Sequence, residues 1–122
     1  MTRADPFIAV VDDEVSVRTA LGRLLRLADY HVAAFGSGDA FLASMAAHRF
    51  DCVILDLHMP GMSGLDVQVR LRKDFDVPVV FITASDDVGL GQTSLAAGAV
   101  RLLRKPFSND ALLDAVRLAL QK

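Results

Sequence analysis

Five short apolar runs, separated by amphipathic stretches, constrain this chain more than any other feature. The runs are Phe7–Val11 (FIAVV), His31–Phe35 (HVAAF), Cys52–Leu55 (CVIL), Pro78–Ile82 (PVVFI) and Val100–Leu103 (VRLL). Most are almost wholly apolar, as strands are when both faces of a sheet are covered. Between them, Val17, Leu21, Leu24 and Ala28 share one helical face, and Leu112, Val116 and Ala119 share another. Ser37, Ser85 and Ser108 are expected N-caps, with Asp86 and Asp87 complementing the helix start after Ser85. Gly98 is an expected helix stop. Dividing the chain by five leaves about 24 residues per unit, room for one strand, one helix and two short loops. Such alternation predicts a parallel sheet with right-handed crossovers and helices on both faces.

Two segments resist this reading. Leu65 to Leu71 (LDVQVRL) alternates with period two and taken alone resembles a half-buried strand. A helix is expected there, because a strand would leave no crossover between the third and fourth runs. The fourth helix is locally weak, since Gly89 and Gly91 each cost about 1 kcal/mol relative to alanine.

Composition narrows the class. The chain has 122 residues, 52% hydrophobic and 23% charged, which suits one globular domain over 1–122. No apolar run reaches the ~18 residues of a membrane span. Asp5 and Pro6 interrupt any signal-peptide core. The single cysteine, Cys52, is expected to be a small buried hydrophobe, and a cytoplasmic location is expected. Thirteen basic against fifteen acidic residues, with no basic run longer than two, argue against direct nucleic-acid binding. Only three residues are lysines (73, 105 and 122), so a lysine at a strand end stands out.

Polar residues follow the apolar runs in a telling pattern. Asp12, Asp13 and Glu14 follow the first, Asp56 the third and Thr83 the fourth, while Lys105 lies two residues beyond the fifth. In open parallel sheets ligands bind beyond the strands' carboxyl ends, where strand order reverses. For strand order 2-1-3-4-5 that point lies between the first and third strands, where Asp12, Asp13 and Asp56 would converge. Three carboxylates repel one another unless a cation joins them, and oxygen donors completed by water suit Mg²⁺, or Mn²⁺. A carboxylate so held can attack phosphorus. Lys105 would then neutralise phosphoryl oxygens and Thr83 hydrogen-bond to one. Each feature alone also has a plain reading as a solvated loop, a turn, a cap or a surface charge. Their placement at the ends of different neighbouring strands is harder to explain that way.

VVDDE at 10–14, ILDLHMPGMSG at 54–64, FITA at 81–84 and Lys105-Pro106-Phe107 resemble the bacterial response-regulator receiver domain. The resemblance covers essentially the whole chain, and its wording most resembles the FixJ-like group of transcriptional regulators. It implies the flavodoxin-like doubly wound fold and a two-component signalling switch rather than an enzyme acting on external substrates. By match, Asp56 would accept a phosphoryl group from a sensor histidine kinase. Asp13 would be a direct Mg²⁺ ligand, Asp12 an acidic partner and the His58 backbone carbonyl another ligand. Thr83 and Lys105 would contact the phosphoryl group. The family's usual turn before the lysine's proline implies a cis Lys105–Pro106 bond. Output is expected through the fourth helix, fifth strand and fifth helix, to a phosphorylation-dependent homodimer or to an effector domain absent from this chain. Two departures bear on that output: Leu102 stands where many receivers carry an aromatic switch, and Arg101 where an acidic residue is common.

Rival classes are weaker. Aspartate-nucleophile phosphatases carry Asp-x-Asp after the first strand, whereas residues 12–14 read Asp-Asp-Glu. Nucleotide or flavin modules want a glycine-rich loop there, and none is present. A single-domain phosphorelay intermediate and a phosphate-independent interaction module stay open. His31, His48 and His58 lack metal-ligand spacing, with His58 expected at the site's rim. Met59 and Met62 are expected to pack the loop around Pro60-Gly61.

Overall fold

All five apolar runs form strands in the computed structural model, which describes residues 5–84, 93, 95 and 98–121. They are β1 (Phe7–Val11), β2 (His31–Phe35), β3 (Cys52–Asp56), β4 (Val79–Thr83) and β5 (Arg101–Arg104). Every ladder is parallel and the order is β2-β1-β3-β4-β5, as expected. Five boundaries move by one residue: β3 ends one later, and β4 and β5 each start and end one later than the apolar runs. Asp56 and Thr83 belong to their strands rather than following them, and β5 starts at Arg101.

The described helices are α1 (Val15–Leu27), α2 (Gly38–Ser44), α3 (Gly64–Asp74) and a C-terminal helix, Asn109–Leu120. Expectations placed on Ser85, Asp86, Asp87, Gly89 and Gly91, and with them the fourth helix and its part in the output face, lie outside the described residues.

Alternation along the strands sorts the core into two layers. Ala9, Val11, Val53, Leu55, Val79 and Phe81 face Phe41 of α2 and Val67 and Leu71 of α3. Ile8, Val10, Cys52, Ile54, Val80 and Ile82 face Leu21 and Leu25 of α1 and Leu112, Val116 and Ala119 of the C-terminal helix. All of β3 and β4 is buried, whereas β2 and β5, at the sheet edges, are partly open. The α1 stripe is rotated from the expected one. Leu21, Gly22 and Leu25 are buried, while Val17, Leu24 and Ala28 lie at its margin. The C-terminal helix buries the expected residues together with Ala115.

Helix α3 resolves the ambiguous segment. It buries Gly64, Val67, Gln68 and Leu71, a spacing of three and four, and leaves Val69 66% exposed. A reciprocal capping box fixes its start: the Ser63 hydroxyl accepts from the Asp66 amide, and the Asp66 carboxylate accepts from the Ser63 amide. Ser37 and Ser108 cap their helices as expected, accepting from Ala40 and Ala111 at 3.1 and 3.0 Å. No helix among the described residues is long and apolar enough to cross a membrane.

The two valine and leucine positions of α3 give a direct check. Leu71→Ala should lower unfolding free energy by about 2–4 kcal/mol in urea denaturation, through lost burial and a cavity. Val69→Lys should change it by less than about 0.5 kcal/mol. Equal losses at both positions would contradict a helical face here.

Candidate functional site

Register brings the polar strand ends together. Val11 pairs with Leu55, so Asp12 emerges level with Asp56; Asp56 pairs with Ile82, and Thr83 with Arg104. Each of Asp12, Asp13 and Asp56 offers a carboxylate oxygen within 4.8 Å of the others. Asp12 and Asp56 are buried, and Asp13 is exposed at the mouth. This is the convergence expected at the switch point between β1 and β3.

Hydrogen bonds fix the buried members. The Asp12 Oδ1 accepts from the Glu14 amide at 2.9 Å, which closes the turn into α1. Its amide donates to Phe35 at 3.1 Å, and its carbonyl accepts from Arg18 Nη1 at 2.7 Å. Lys105 Nζ donates to Asp12 Oδ2 at 3.0 Å and lies 3.6 Å from Glu14 Oε1 and 3.8 Å from Asp56 Oδ2. Asp56 Oδ1 accepts a long bond, 3.4 Å, from the His58 amide. His58 itself is exposed, on the rim as expected.

The remaining members are set by backbone. Thr83 is buried, and its carbonyl accepts from the Lys105 amide at 2.7 Å, which draws the lysine back across the strand ends. The Lys105–Pro106 bond is cis, as expected. Within their strands, Asp56 shares a face with Cys52 and Ile54, and Thr83 shares the opposite face with Val79 and Phe81. The site therefore caps the sheet end rather than lying on either layer. Gly64 completes it. A Cβ there would collide with the Asp56 carbonyl oxygen and lie 2.9 Å from Leu57 Cα, so only glycine lets α3 start this close. Met59 is buried and Met62 packs on the core beneath the loop, as expected.

Arg18 was not marked by sequence spacing, while Glu14 and Gly64 stood within the marked segments without a role of their own. Glu14 and Arg18 stand four apart where α1 begins, a spacing that says nothing of the contact Arg18 makes with the Asp12 carbonyl. Gly64 directly after a capping serine is an unfavourable way to begin a helix, a sign that contact rather than propensity selects it.

The electrostatics follow from this crowding. Burial, then the neighbouring Asp12 charge, pushes the Asp56 carboxyl up to about 6, against the opposing pull of Lys105 and the His58 amide. Burial alone would lower Lys105, but its Asp12 hydrogen bond and the Asp56, Asp12 and Glu14 charges outweigh that and raise it. One ammonium thus faces two buried carboxylates, Asp12 and Asp56, and the exposed Glu14. An oxygen-only donor set with excess negative charge is suited to a hard divalent cation with water completing its shell. Cys52, by contrast, is buried in the core, and burial pushes its thiol up to about 12.

A parallel sheet with acids, a lysine and a buried threonine at its switch point defines a class of doubly wound domains that can receive an anion beside a cation. Comparison with known proteins makes the class specific. The family model "Response regulator receiver domain" matches residues 8–117. Nodulation protein W of Bradyrhizobium diazoefficiens is 39% identical over 116 residues, covering 94% of this chain and 51% of that protein. The transcriptional regulatory protein FixJ of the same organism is 33% identical, covering 94% of this chain and 57% of that protein. The crystal structure of a receiver protein from Burkholderia phymatum superposes with a TM-score of 0.86 at 48% identity, covering 96% of each chain. This chain belongs to the response regulator receiver domain family, the signal-receiving domains of two-component systems. It spans little more than half the length of the two relatives named.

Ionised Asp56 opposes folding, because its carboxyl binds a proton more readily in the folded chain than in the unfolded one. The penalty is absent below about pH 4, where both states are protonated, and is complete above about pH 6. Asp56→Asn should therefore stabilise the metal-free protein by about 2 kcal/mol at pH 7.5. The gain should shrink as pH falls from 6 to 4, measured by urea unfolding in chelator. A gain that is constant with pH would exclude the charge as its cause.

Proposed function

We propose that the chain is a phosphorylation-dependent switch in which Asp56 accepts a phosphoryl group from a sensor histidine kinase. The observation that supports this most is the placement of Asp56: buried at the central strand's end, close to two further carboxylates and 3.8 Å from a lysine ammonium. Attack by an Asp56 carboxylate oxygen on phosphorus forms the acyl–phosphate bond as the kinase's nitrogen–phosphorus bond breaks, and the imidazole leaves with the bonding pair. Lys105 would meet the phosphoryl oxygens as a point charge, and the Thr83 hydroxyl would hydrogen-bond to one. Asp13, Asp56 and the His58 carbonyl would hold Mg²⁺, or Mn²⁺, with Asp12 assisting. The cation, when bound, would offset the carboxylate repulsion and the charge gathering on the phosphoryl oxygens. Turnover would be limited to the chain's own phosphorylation and dephosphorylation.

Residues 1–122 would act as one receiver unit, with transcriptional output through an effector domain or a homodimer partner and without nucleic-acid contact of their own. Leu102 packs half-buried against the layer containing Phe81, its register partner. With no ring at that position, the response would come from movement of backbone around Thr83 and β5 rather than from an aromatic rotation.

Intact mass after exposure to acetyl phosphate and Mg²⁺ tests the reading. The wild type should gain one phosphoryl mass, and Asp56→Asn none. Asp13→Ala should lose Mg²⁺ affinity and phosphorylate slowly. Thr83→Ala should still gain the mass but lose the accompanying change in amide exchange around β5. Full phosphorylation of Asp56→Asn would overturn the assignment.

A further inference from the structure

We infer that Arg18 is a positioning residue for the metal site, working through the Asp12 carbonyl, and that Gly36 is the space that lets it do so. The inference rests on the proposed cation site and concerns what holds that site in shape. Among the described residues, no hydrogen bond or ion pair holds the Asp13 carboxylate, although it is the most open of the three. Its position depends on the preceding peptide. That unit is planar, so fixing the Asp12 carbonyl fixes the Asp13 amide and aims the Asp13 Cα. Arg18 Nη1 donates to this carbonyl at 2.7 Å, a charge-assisted bond from the first turns of α1 back onto the loop.

The reach requires an open path. Arg18 crosses from α1 to the end of β2, where a Cβ on Gly36 would stand 3.2 Å from Nη1 and 3.6 Å from Cζ. That separation is tight enough to displace the guanidinium by a few tenths of an ångström. The same corner is tied from the other side, since the Asp12 amide donates to the Phe35 carbonyl at 3.1 Å. Arg18 makes no ion pair among the described residues. A bare positive charge near a cation site would by itself weaken cation binding. The carbonyl bond acts in the opposite direction, by holding the acidic loop ready, and it determines the expected sign.

Titration of the full chain with Mg²⁺ alone, followed by NMR amide shifts, tests this, with urea stability in chelator measured alongside. Arg18→Met should weaken Mg²⁺ binding about tenfold, the scale usual for groups that orient a ligand. Arg18→Lys should recover part of it, because the charge and one donor remain. Gly36→Ala should weaken binding about threefold in the wild-type background and not at all in Arg18→Met, the coupling expected if glycine acts only through the arginine. A stability loss with unchanged Mg²⁺ affinity in Arg18→Met would reduce Arg18 to a scaffold role and overturn the inference. Equal effects of Gly36→Ala in both backgrounds would overturn Gly36's part. If the wild type binds no Mg²⁺, the underlying site reading fails first; if it binds and the variants match it, only this inference fails.

Discussion

The ion pair between Lys105 and Asp12 is the interaction on which the upper end of the sheet depends. Asp12 is fully buried, and a buried carboxylate without a partner is strongly destabilising. Its partner comes from 93 residues away, beyond the last strand, so the pair can form only once β1, β3, β4 and β5 are laid side by side. Local and global order therefore support each other here. The sheet brings the ammonium to the acids, and the ammonium makes the acids tolerable at the sheet's end.

Around that pair the domain is divided into a stable base and a charged top. The layers on either side of the sheet are apolar and closely filled, while the polar residues gather where strands give way to loops. This separation lets the top carry unfavourable charge. Three acids facing one lysine leave a deficit of positive charge that a bound cation would relieve. The apolar layers supply the stability that the crowded carboxylates subtract. Gly64 links the two regions, because α3 starts directly on the backbone of the strand that carries Asp56.

Much of this was legible in the residues themselves, for physical reasons. The five apolar runs read cleanly because β3 and β4 are buried on both faces and admit almost nothing polar. Strand order was not read from the runs themselves: 2-1-3-4-5 is the order that would bring Asp12, Asp13 and Asp56 together, and it goes with the fold that the receiver resemblance implies. The face of α1 was less legible: leucines occupy positions 21, 24, 25 and 27, and packing alone decides that Leu25 goes in while Leu27 is left 85% exposed. Period two along 65–71 pointed to a strand, and the helix expected there on topology is the one observed, set by its cap and leaving Val69 outside. Arg18 escaped notice because its role is a contact with a carbonyl, and backbone acceptors leave no trace in sequence.

Cys52 has a practical consequence. It is the chain's only sulfhydryl, and it is sealed in the middle of the sheet with its proton firmly held. Maleimides and other thiolate-directed probes should pass it by under native conditions. A second cysteine placed on the surface would then be a unique attachment point with no need to remove the first. The fold thus comes already prepared for spectroscopic labels that could follow, one position at a time, how its upper loops respond when the acidic cluster is loaded.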